Sequence, residues 1–318
     1  MNIGICGLGN HAINNIAPAL MKTPKLELAG VFTRNEAVRS NCAENFNCKT
    51  WKSYEDMLED KSIDIIYCST PPALHYQIGL EALSAGKHFW CEKPITMSLQ
   101  EARSLVELSN KAKLTLAEGF MYMYHPHFRS LKNELIKYSD EEIRYIDIVF
   151  TLPYSDNIGF RDNLKLGGSA ILDIGTYNIS LALQIFAKNN PEILCKKINI
   201  DDSSKVDVSG FAAMQFNEAT ICNLFWGMGF GYRNEINILT KKGSLYTDKI
   251  FSKKEDYEPI IQLRNEYGEI SYLNCKKANH FVEMFSQFRA LINDEHKARL
   301  EKERIIDLSK ITEEIRLG

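Results

Sequence analysis

The stretch NIGICGLGNHA (residues 2–12) decides how the first part of the chain folds. Its apolar start is typical of a short strand, and the segment after the glycines has helical spacing. Gly7, Gly9 and Ala12 stand between them in the spacing G-x-G-x-x-A, which is the context of a dinucleotide-binding turn. There Gly7 permits the bend, Gly9 lets a pyrophosphate approach, and the helix N-terminus attracts its charge. A plain glycine turn is the alternative interpretation.

Strands and helices alternate from this turn to about residue 121. The strand-like runs are NIGIC (2–6), LELAGVFT (26–33), IDIIYCST (63–70), KHFWCE (87–92) and LTLAEGF (114–120), with helical segments between them. This alternation is typical of βαβ units. We therefore predict an α/β Rossmann domain, a doubly wound parallel sheet that binds a dinucleotide, over residues 1–121.

The pattern changes after Tyr122. Strand-like runs then follow one another with few helices between them, from EIRYIDIVFTL (142–152) to EPIIQLRN (258–265). Helical segments begin near His125, Gly167 and Asn279, and a short helix SKITEEIRL (309–317) closes the chain. We therefore predict a second, α+β domain with a mostly antiparallel open sheet over residues 122–318.

The composition excludes several classes of protein. The formal net charge of the 318-residue chain is −3 and like charges do not cluster, so neither a nucleic-acid surface nor a membrane surface is indicated. No apolar stretch has the length of a membrane span and no basic leader precedes the first strand, so we expect a cytoplasmic protein. The eight cysteines lack metal-ligand spacing, so we expect no metal site.

The end of the second strand predicts which nicotinamide cofactor the turn binds. An acidic residue at this position would bind the ribose 2′-hydroxyl of NAD. The chain has Thr33, Arg34 and Asn35 there instead, and a guanidinium can fork onto a 2′-phosphate. The sequence therefore favours NADP(H) over NAD(H), with a solvated loop cation as the alternative role of Arg34.

Three polar motifs are candidates for the chemistry. Glu92-Lys93-Pro94 ends one strand and TPPALH (70–75) follows another, at the sheet edge that faces the ligand crevice in α/β folds. In GGSAILDIGTYNI (167–179), Asp173 and Tyr177 lie four residues apart and share one helix face. Three of these residues also have a structural interpretation. Lys93 can pair with the neighbouring Glu92, Asp173 can be a helix-packing residue, and Tyr177 can be a core aromatic residue.

These motifs, with AEGFMYMYHPHF (117–128) and TKKGSLYTD (240–248), resemble the glucose–fructose oxidoreductase/inositol dehydrogenase (Gfo/Idh/MocA) family in order and spacing. The resemblance covers nearly the whole chain. It implies hydride transfer between a nicotinamide cofactor and a carbinol or ketone carbon of a sugar, sugar nucleotide or polyol. Many members have histidine where this chain has Tyr177, and tyrosine there is similar to the subgroup of glucose–fructose oxidoreductase, dihydrodiol and xylose dehydrogenases and sugar-nucleotide ketoreductases.

The resemblance also implies roles for individual residues. Lys93 binds substrate and assists proton transfer, Tyr177 is a candidate proton donor, and Asp173 orients substrate hydroxyls; which of Lys93 and Tyr177 is the main donor stays open. The residues expected at the cofactor are Gly7, Gly9, Asn10, His11, Ala12, Thr33, Arg34, Ser69, Thr70, Pro71, His75, Glu92 and Lys93. Those expected at the substrate are Lys93, Tyr122, Arg161, Asp173 and Tyr177.

Two other functions and an assembly are also indicated. The superfamily contains NAD(P)-sensing regulators without catalysis, and the apolar LFWGMGF (224–230) permits a dihydrodiol or dicarbonyl substrate. We expect a homodimer or homotetramer through the C-terminal sheet. The reason is that AAMQF (212–216) and ICNLFW (221–226) carry apolar residues on both strand faces, and the outer face needs cover.

Overall fold

The computed structural model describes residues 1–140, 142–154, 159–186 and 190–317. The chain forms two compact units. The first contains Met1–Phe120 and Phe281–Ser309, and the second contains Met121–His280 and the residues from Lys310 onward. The chain therefore returns to the first unit late in its length. The functional division into residues 1–121 and 122–318 that the sequence suggests stays a prediction.

The first unit is built on a six-stranded parallel sheet. Its strands are β1 Asn2–Cys6, β2 Glu27–Phe32, β3 Lys49–Thr50, β4 Ile65–Cys68, β5 His88–Cys91 and β6 Leu116–Glu118. The order across the sheet is β3-β2-β1-β4-β5-β6, with parallel pairing throughout, which confirms the predicted doubly wound fold. The order reverses between β1 and β4, so the ligand crevice of such a sheet opens at the carboxyl ends of these two strands.

The register brings the ends of neighbouring strands to one edge. Cys6 pairs with Cys68 and Cys68 with Cys91, so the segments that follow these cysteines leave the sheet side by side. Every residue of β4 is buried, as expected for a parallel sheet covered on both faces. The helices that alternate with these strands are α1 Ala17–Lys22, α2 Glu36–Phe46, α3 Tyr54–Glu59, α4 His75–Ser84 and α5 Leu99–Lys111.

The second unit is built on an eight-stranded sheet. Its strands are β7 Ile143–Leu152, β8 Glu192–Ile200, β9 Asp207–Asn217, β10 Thr220–Met228, β11 Arg233–Thr240, β12 Gly243–Asp248, β13 Ile260–Asn265 and β14 Ile270–Asn274. They lie in the order β14-β13-β12-β11-β7-β10-β9-β8, and every pair is antiparallel except β7 with β10. This confirms the predicted mostly antiparallel sheet. The unit also contains α6 Pro126–Leu135 and α7 Thr176–Ile185, and α7 packs against β7 and β10.

One face of this sheet is buried and the other is open. In β11, Ile238 is 0% exposed, whereas its neighbour Leu239 is 41% exposed. Leu239 pairs with Tyr145 of β7, and Tyr145 pairs with Ile221 of β10, so these side chains share the open face. Other exposed apolar side chains on this face include Tyr246, Ile260, Ile270 and Tyr272.

Two helices close the chain, α8 His280–Leu291 and α9 Glu295–Leu317. The predicted short helix at 309–317 is wrong in its start, because α9 begins at Glu295 and is 23 residues long. Residues 295–308 are rich in charge and lack a clear apolar stripe. The reason is that the packed face of this helix includes a buried ion pair in place of some apolar side chains. No helix in the described part of the chain combines the length and apolar character that a membrane span requires.

Candidate active site

The glycine motif forms the turn between β1 and the next helical segment. Gly7 has a φ of +96°, which favours glycine, and a Cβ there would lie 2.6 Å from the carbonyl oxygen of Ser69. A Cβ at the exposed Gly9 would meet no atom of the described residues within 4 Å, so the backbone is open to a ligand. Helical residues begin at Asn10, and a π turn over Ala12–Ile16 precedes α1. The N–H groups at a helix N-terminus bind anions, so this helix start and the open glycine fit a pyrophosphate.

The turn after β2 presents Arg34 to solvent. Thr33 accepts a hydrogen bond through its carbonyl oxygen from Arg39 Nη1 at 2.9 Å, and the Asn35 side chain caps α2 by accepting from the Val38 N–H at 3.1 Å. Arg34 is exposed and pairs with no carboxylate among the described residues. The loop is therefore fixed at both ends, while its guanidinium is available to an anionic group.

Glu92 follows β5 directly, and its carboxylate joins the tripeptide to the glycine turn. Oε1 accepts from the Tyr67 hydroxyl at 2.6 Å and lies 3.1 Å from His11 Nε2, while His11 Nδ1 lies 3.2 Å from the Asn15 amide nitrogen. Burial by itself raises the pKa of Glu92, but His11, the Tyr67 hydroxyl and Lys93 outweigh it and hold this pKa below its ordinary value. The half-buried Lys93 is therefore linked to the glycine turn through its neighbour Glu92.

His75 connects the segment after β4 to the loop behind Lys93. It is buried, with Nδ1 2.8 Å from the Pro94 carbonyl oxygen and Nε2 2.8 Å from the Thr70 carbonyl oxygen. A neutral imidazole donates to one of these carbonyls at a time. Ser69–Pro71 are half-buried beside it at the carboxyl end of β4. His75 therefore connects the backbone at Thr70 to the backbone at Pro94.

Cys68, His75 and Cys91 lie together beneath this edge of the sheet. Their ligand atoms lie within 4.8 Å of one another and all three side chains are buried. Burial acts to raise the pKa of Cys68, but the Cys91 thiol, His75 and the Thr70 hydroxyl lower it to about 6. Because both ring nitrogens of His75 already face carbonyl oxygens, we interpret this group as core packing rather than as a metal site.

In the second unit, Asp173 and Arg161 form an ion pair. Asp173 lies in a π turn over Ile171–Gly175 that continues as α7, and its Oδ2 accepts from Arg161 Nε at 2.5 Å. Asp173 is 8% exposed, and a Cβ at Gly168 would lie 2.5 Å from the Arg161 carbonyl oxygen. The paired glycines of the motif thus allow the segment with Arg161 to approach the helix with Asp173. Single π turns are frequent at functional sites.

Tyr177 lies four residues beyond Asp173 and is 6% exposed. Its hydroxyl is 3.2 Å from the Met121 sulfur, and its ring packs edge-on against Phe150 with 5.5 Å between centroids. A thioether is a weak acceptor, so a carbonyl oxygen would be a stronger partner for this hydroxyl. Tyr122 is fully buried, and its hydroxyl lies 2.9 Å from the Ser180 hydroxyl.

The structure brings some predicted residues together within each unit. His11 and Glu92 meet in the first unit, and Arg161 and Asp173 meet in the second. Sequence reasoning missed Tyr67, Glu118 and Arg304. Tyr67 lies inside an apolar run that gives no sign that its hydroxyl reaches a carboxylate. Glu118 had a usable signal, since an acid inside a predicted buried strand is rare unless it is paired.

Two family models match the chain. One, an oxidoreductase family with an NAD-binding Rossmann fold, matches residues 1–120, and the other, the Gfo/Idh/MocA C-terminal domain, matches residues 141–246. Together with the doubly wound sheet and the open glycine turn, they define the protein as a nicotinamide-dependent oxidoreductase. The chain belongs to the Gfo/Idh/MocA family, which confirms the resemblance carried by its motifs.

Known members of the family are similar over most of the chain. The dTDP-3,4-didehydro-2,6-dideoxy-alpha-D-glucose 3-reductase of Actinomadura kijaniata is 27% identical over 93% of this chain and 89% of its own. A D-xylose 1-dehydrogenase (NADP(+)) of Haloferax volcanii is 30% identical over 57% of this chain and 56% of its own. The solved structure of a 3-ketoreductase from Actinomadura kijaniata with NADP and TDP-benzene has a TM-score of 0.94 at 25% identity, covering 100% of this chain and 97% of the other.

Proposed function

We propose that the protein is an NADP(H)-dependent oxidoreductase that reduces a keto group of a sugar nucleotide, with a dTDP-linked deoxysugar as the first candidate. The observation that carries the proposal is the 3.1 Å contact between His11 of the glycine turn and Glu92. It places a turn that fits a pyrophosphate next to the tripeptide with Lys93. The similar 3-reductase and the 3-ketoreductase bound to NADP and TDP-benzene support the choice of substrate class.

The exposed Arg34 supports NADP(H) as the cofactor. No acidic residue ends β2, and Glu36 begins α2 beyond the turn. A guanidinium without a carboxylate partner among the described residues suits a 2′-phosphate, because the charge-assisted contact does not have to displace an internal pair.

Lys93 and Tyr177 are the residues proposed for proton transfer. The bound nicotinamide supplies or accepts a hydride at the carbon of the sugar. Lys93 binds the substrate oxygen, and its positive hydrogens stabilise the negative charge that develops there. Tyr177 is the other candidate proton donor, and in this proposal one of the two side chains delivers the proton to the substrate oxygen. The Tyr67–Glu92–His11 contacts hold the residue before Lys93, so the lysine is oriented from its backbone.

Asp173 and Arg161 orient the substrate in this proposal. The ion pair fixes the guanidinium by its Nε, which leaves its other N–H groups to donate to substrate hydroxyls or to a diphosphate. Arg161 is 40% exposed and Asp173 10% by side chain, so the arginine is the member of the pair that a ligand reaches. Tyr122 is fully buried and its hydroxyl lies 2.9 Å from that of Ser180 on α7, so in this proposal it supports the helix rather than contacting the substrate.

The test is NADPH oxidation with a panel of substrates. We expect turnover with dTDP-linked 3-keto or 4-keto deoxysugars, and much less with free keto-sugars. The Lys93→Met variant is the matched control, because it keeps the side-chain length and removes the charge. If the protein binds NADPH but none of the sugar nucleotides is reduced, the proposed substrate class is wrong, and a cofactor-sensing role gains support.

A dihydrodiol substrate is the second candidate. The trans-1,2-dihydrobenzene-1,2-diol dehydrogenase of Xenopus tropicalis is 27% identical over 67% of this chain and 65% of its own. The same assay run in the direction of NADP⁺ reduction with trans-dihydrodiols distinguishes the two. Faster turnover with the dihydrodiol than with any sugar nucleotide would favour this candidate.

The open face of the second sheet is the proposed contact between copies of the chain. It carries Tyr145, Ile221, Leu239 and Tyr246 on neighbouring strands, and an apolar patch of this kind needs cover. We propose that the chain forms a homodimer or homotetramer through this face, and separately that it is a cytoplasmic enzyme. Light scattering at micromolar concentration should give a multiple of the chain mass, and a strict monomer would contradict it.

A further inference from the structure

Three charged side chains are buried behind the loop that carries Lys93. Glu118 is the last residue of β6, and Glu301 and Arg304 lie one turn apart on α9. Their side chains are 3%, 6% and 8% exposed. Buried charges are rare unless they are paired, so packing alone does not explain why these three side chains are buried.

Arg304 joins the two carboxylates. Its Nε and Nη2 donate to the two carboxylate oxygens of Glu301 at 2.9 and 2.6 Å, in a bidentate pair. Its Nη1 donates to Glu118 Oε2 at 3.3 Å, and the Glu118 N–H donates to Glu301 Oε1 at 3.0 Å. Burial raises the pKa of Glu118, and Arg304 opposes that effect. The network thus holds the Glu118 carboxylate in one orientation.

The other oxygen of Glu118 reaches the loop. Glu118 Oε1 accepts from the N–H of Ile95 at 2.8 Å. The carbonyl oxygen of the same peptide unit, that of Pro94, lies 2.8 Å from His75 Nδ1. The Pro94–Ile95 peptide is therefore held from both sides, one residue beyond Lys93. A third bond fixes the far end of this loop, because the Met97 N–H donates to Glu101 Oε2 at 3.0 Å.

A need for stability alone does not account for this arrangement. Replacing a buried ion pair by apolar side chains of similar volume is often neutral or stabilising. What apolar side chains cannot do is accept the Ile95 N–H in a fixed direction. The charged network therefore adds orientation within the loop that follows β5 and carries Lys93.

We propose that Glu118, held by Arg304, is a positioning residue that fixes the Pro94–Ile95 peptide and through it Lys93. The inference rests on the proposed catalytic role of Lys93. It assigns α9 a part in the reaction although no residue of that helix is expected to touch substrate or cofactor.

The test compares two substitutions at Glu118 with one on α9. Glu118→Met keeps the volume and removes the acceptor, whereas Glu118→Gln keeps an acceptor oxygen and removes the charge. The matched control is Lys302→Met, because buried Lys302 donates to Asn110 Oδ1 at 2.8 Å and to the Leu114 carbonyl oxygen at 3.1 Å without contacting the loop. It loosens the same helix from the same unit.

Two measurements decide the inference. Hydrogen exchange of the Ile95 amide should become at least tenfold faster in Glu118→Met, at about the rate increase expected for a lost buried hydrogen bond, while that of Met97 changes little. With the keto-sugar nucleotide that the parent reduces, kcat should fall about 10- to 100-fold with an unchanged KM for NADPH, since misplacement of a catalytic group has effects of this size. Glu118→Gln should recover most of the turnover, and Lys302→Met should retain it.

The outcomes separate this inference from the proposed function. Unchanged Ile95 exchange in Glu118→Met overturns the inference, even if no substrate has been found. Faster exchange with kcat preserved also overturns it, as does a loss of kcat in Lys302→Met equal to that in Glu118→Met. If Glu118→Met does not fold, Arg304→Lys takes its place in the exchange measurement with the same expected result, because it loosens the hold on the Glu118 carboxylate. A parent enzyme whose turnover survives Lys93→Met contradicts the proposed role of the lysine instead.

Discussion

In the parallel sheet of the first unit, the neighbours Ile65 and Ile66 are both 0% exposed, whereas in the second sheet Ile238 is 0% exposed and its neighbour Leu239 is 41% exposed. A sheet covered on both faces can present polar chemistry only where its strands end. In the first unit, Gly7 and Glu92 follow strand ends accordingly. The one-sided sheet instead has Asp173 and Tyr177 on the helix that packs against its buried face, and its other face is exposed.

The two units differ in one kind of buried polar group. A buried carboxylate is paired in each unit, Glu118 with Arg304 in the first and Asp173 with Arg161 in the second. The second unit buries His125 and His127 at 0% exposure without a carboxylate beside them, and His127 Nδ1 has no hydrogen-bond partner among the described residues. Paired charges hold their arrangement over a wide pH range, whereas buried neutral histidines make folding sensitive to pH near their ordinary pKa.

The largest expected effect concerns the candidate residues of the two units. Lys93→Met and Tyr177→Phe should each lower kcat about 10²- to 10⁴-fold, because each removes a positioned proton-transfer group. Lys93→Met should be the more severe, since it also removes a substrate contact. The double variant should lose less than the product of the two single losses, because residues that act as a unit are not additive. Steady-state kinetics with NADPH and the keto-sugar nucleotide that the parent reduces measure all three.

Binding of NADPH is the control for these variants, and fluorescence titration should give affinities close to that of the parent. If Lys93→Met keeps kcat within a few-fold of the parent, the lysine is structural. The strand end of the first sheet would then not carry a catalytic residue at this position. A double variant equal to the product of the singles would show that the two residues serve separate steps.

The second prediction tests the covered and open faces directly. Ile65→Ala and Ile66→Ala should each lower the free energy of unfolding by about 2–5 kcal/mol, because either face of the parallel sheet loses packed volume. In β11, Ile238→Ala should have the same effect, whereas Leu239→Ala should stay within about 0.5 kcal/mol of the parent in dilute, monomeric protein. Urea unfolding of the four variants provides the comparison.

Measurements at higher protein concentration add a test of the open face. If copies of the chain associate through the open face, Leu239→Ala should weaken the assembly in light scattering while Ile238→Ala does not act on it selectively. A near-neutral Ile65→Ala would contradict the two-sided burial of the first sheet.

The third prediction concerns the exposed cation of the first unit. Arg34→Ala should weaken NADP(H) binding by about 1.5–3 kcal/mol, the range of a hydrogen bond to a charged group, and leave NAD(H) binding unchanged. Fluorescence titration of both cofactors measures the difference. Equal losses for the two cofactors would show that Arg34 does not contact the 2′-phosphate, and tighter binding of NAD(H) by the parent would contradict the cofactor choice itself.

Most of the fold was predictable because the sequence signals of the first unit each lie within a few consecutive residues. Short apolar runs, the glycine turn and the strand-end motifs each lie within a few residues, so Gly7, Arg34 and Lys93 were identified from their neighbours in the chain. What the sequence did not reveal depends on long-range contacts. The link of Glu118 to Arg304 spans 186 positions, and the central place of β7 in the second sheet depends on pairing with β10 and β11 far along the chain.

The ion pair between Arg161 and Asp173 shows the same limit at shorter range. Both residues were expected at the substrate, but nothing in the spacing of 12 positions showed that they would bind each other. The start of α9 was missed for a related reason. Its buried face includes Glu301 and Arg304, which read as solvent-facing charges until their partner on β6 is known.

The smallest expected effect comes from the buried histidines of the second unit. Burial, with the nearby Lys253, lowers the pKa of His125 to about 4 and that of His127 to about 2. In the unfolded chain a histidine has its ordinary pKa of about 6.5, so the unfolded state binds more protons below that pH and stability falls as the pH decreases from 6.5 towards 4. Between pH 7.5 and 5.5 each histidine should lower the free energy of unfolding by about 1.4 kcal/mol. His127→Gln should remove that one share of the pH dependence, and the variant controls for carboxylates, which titrate in both proteins. Urea unfolding at the two pH values measures the difference; a pH dependence equal to that of the parent would mean that His127 takes up its proton in the folded unit as well.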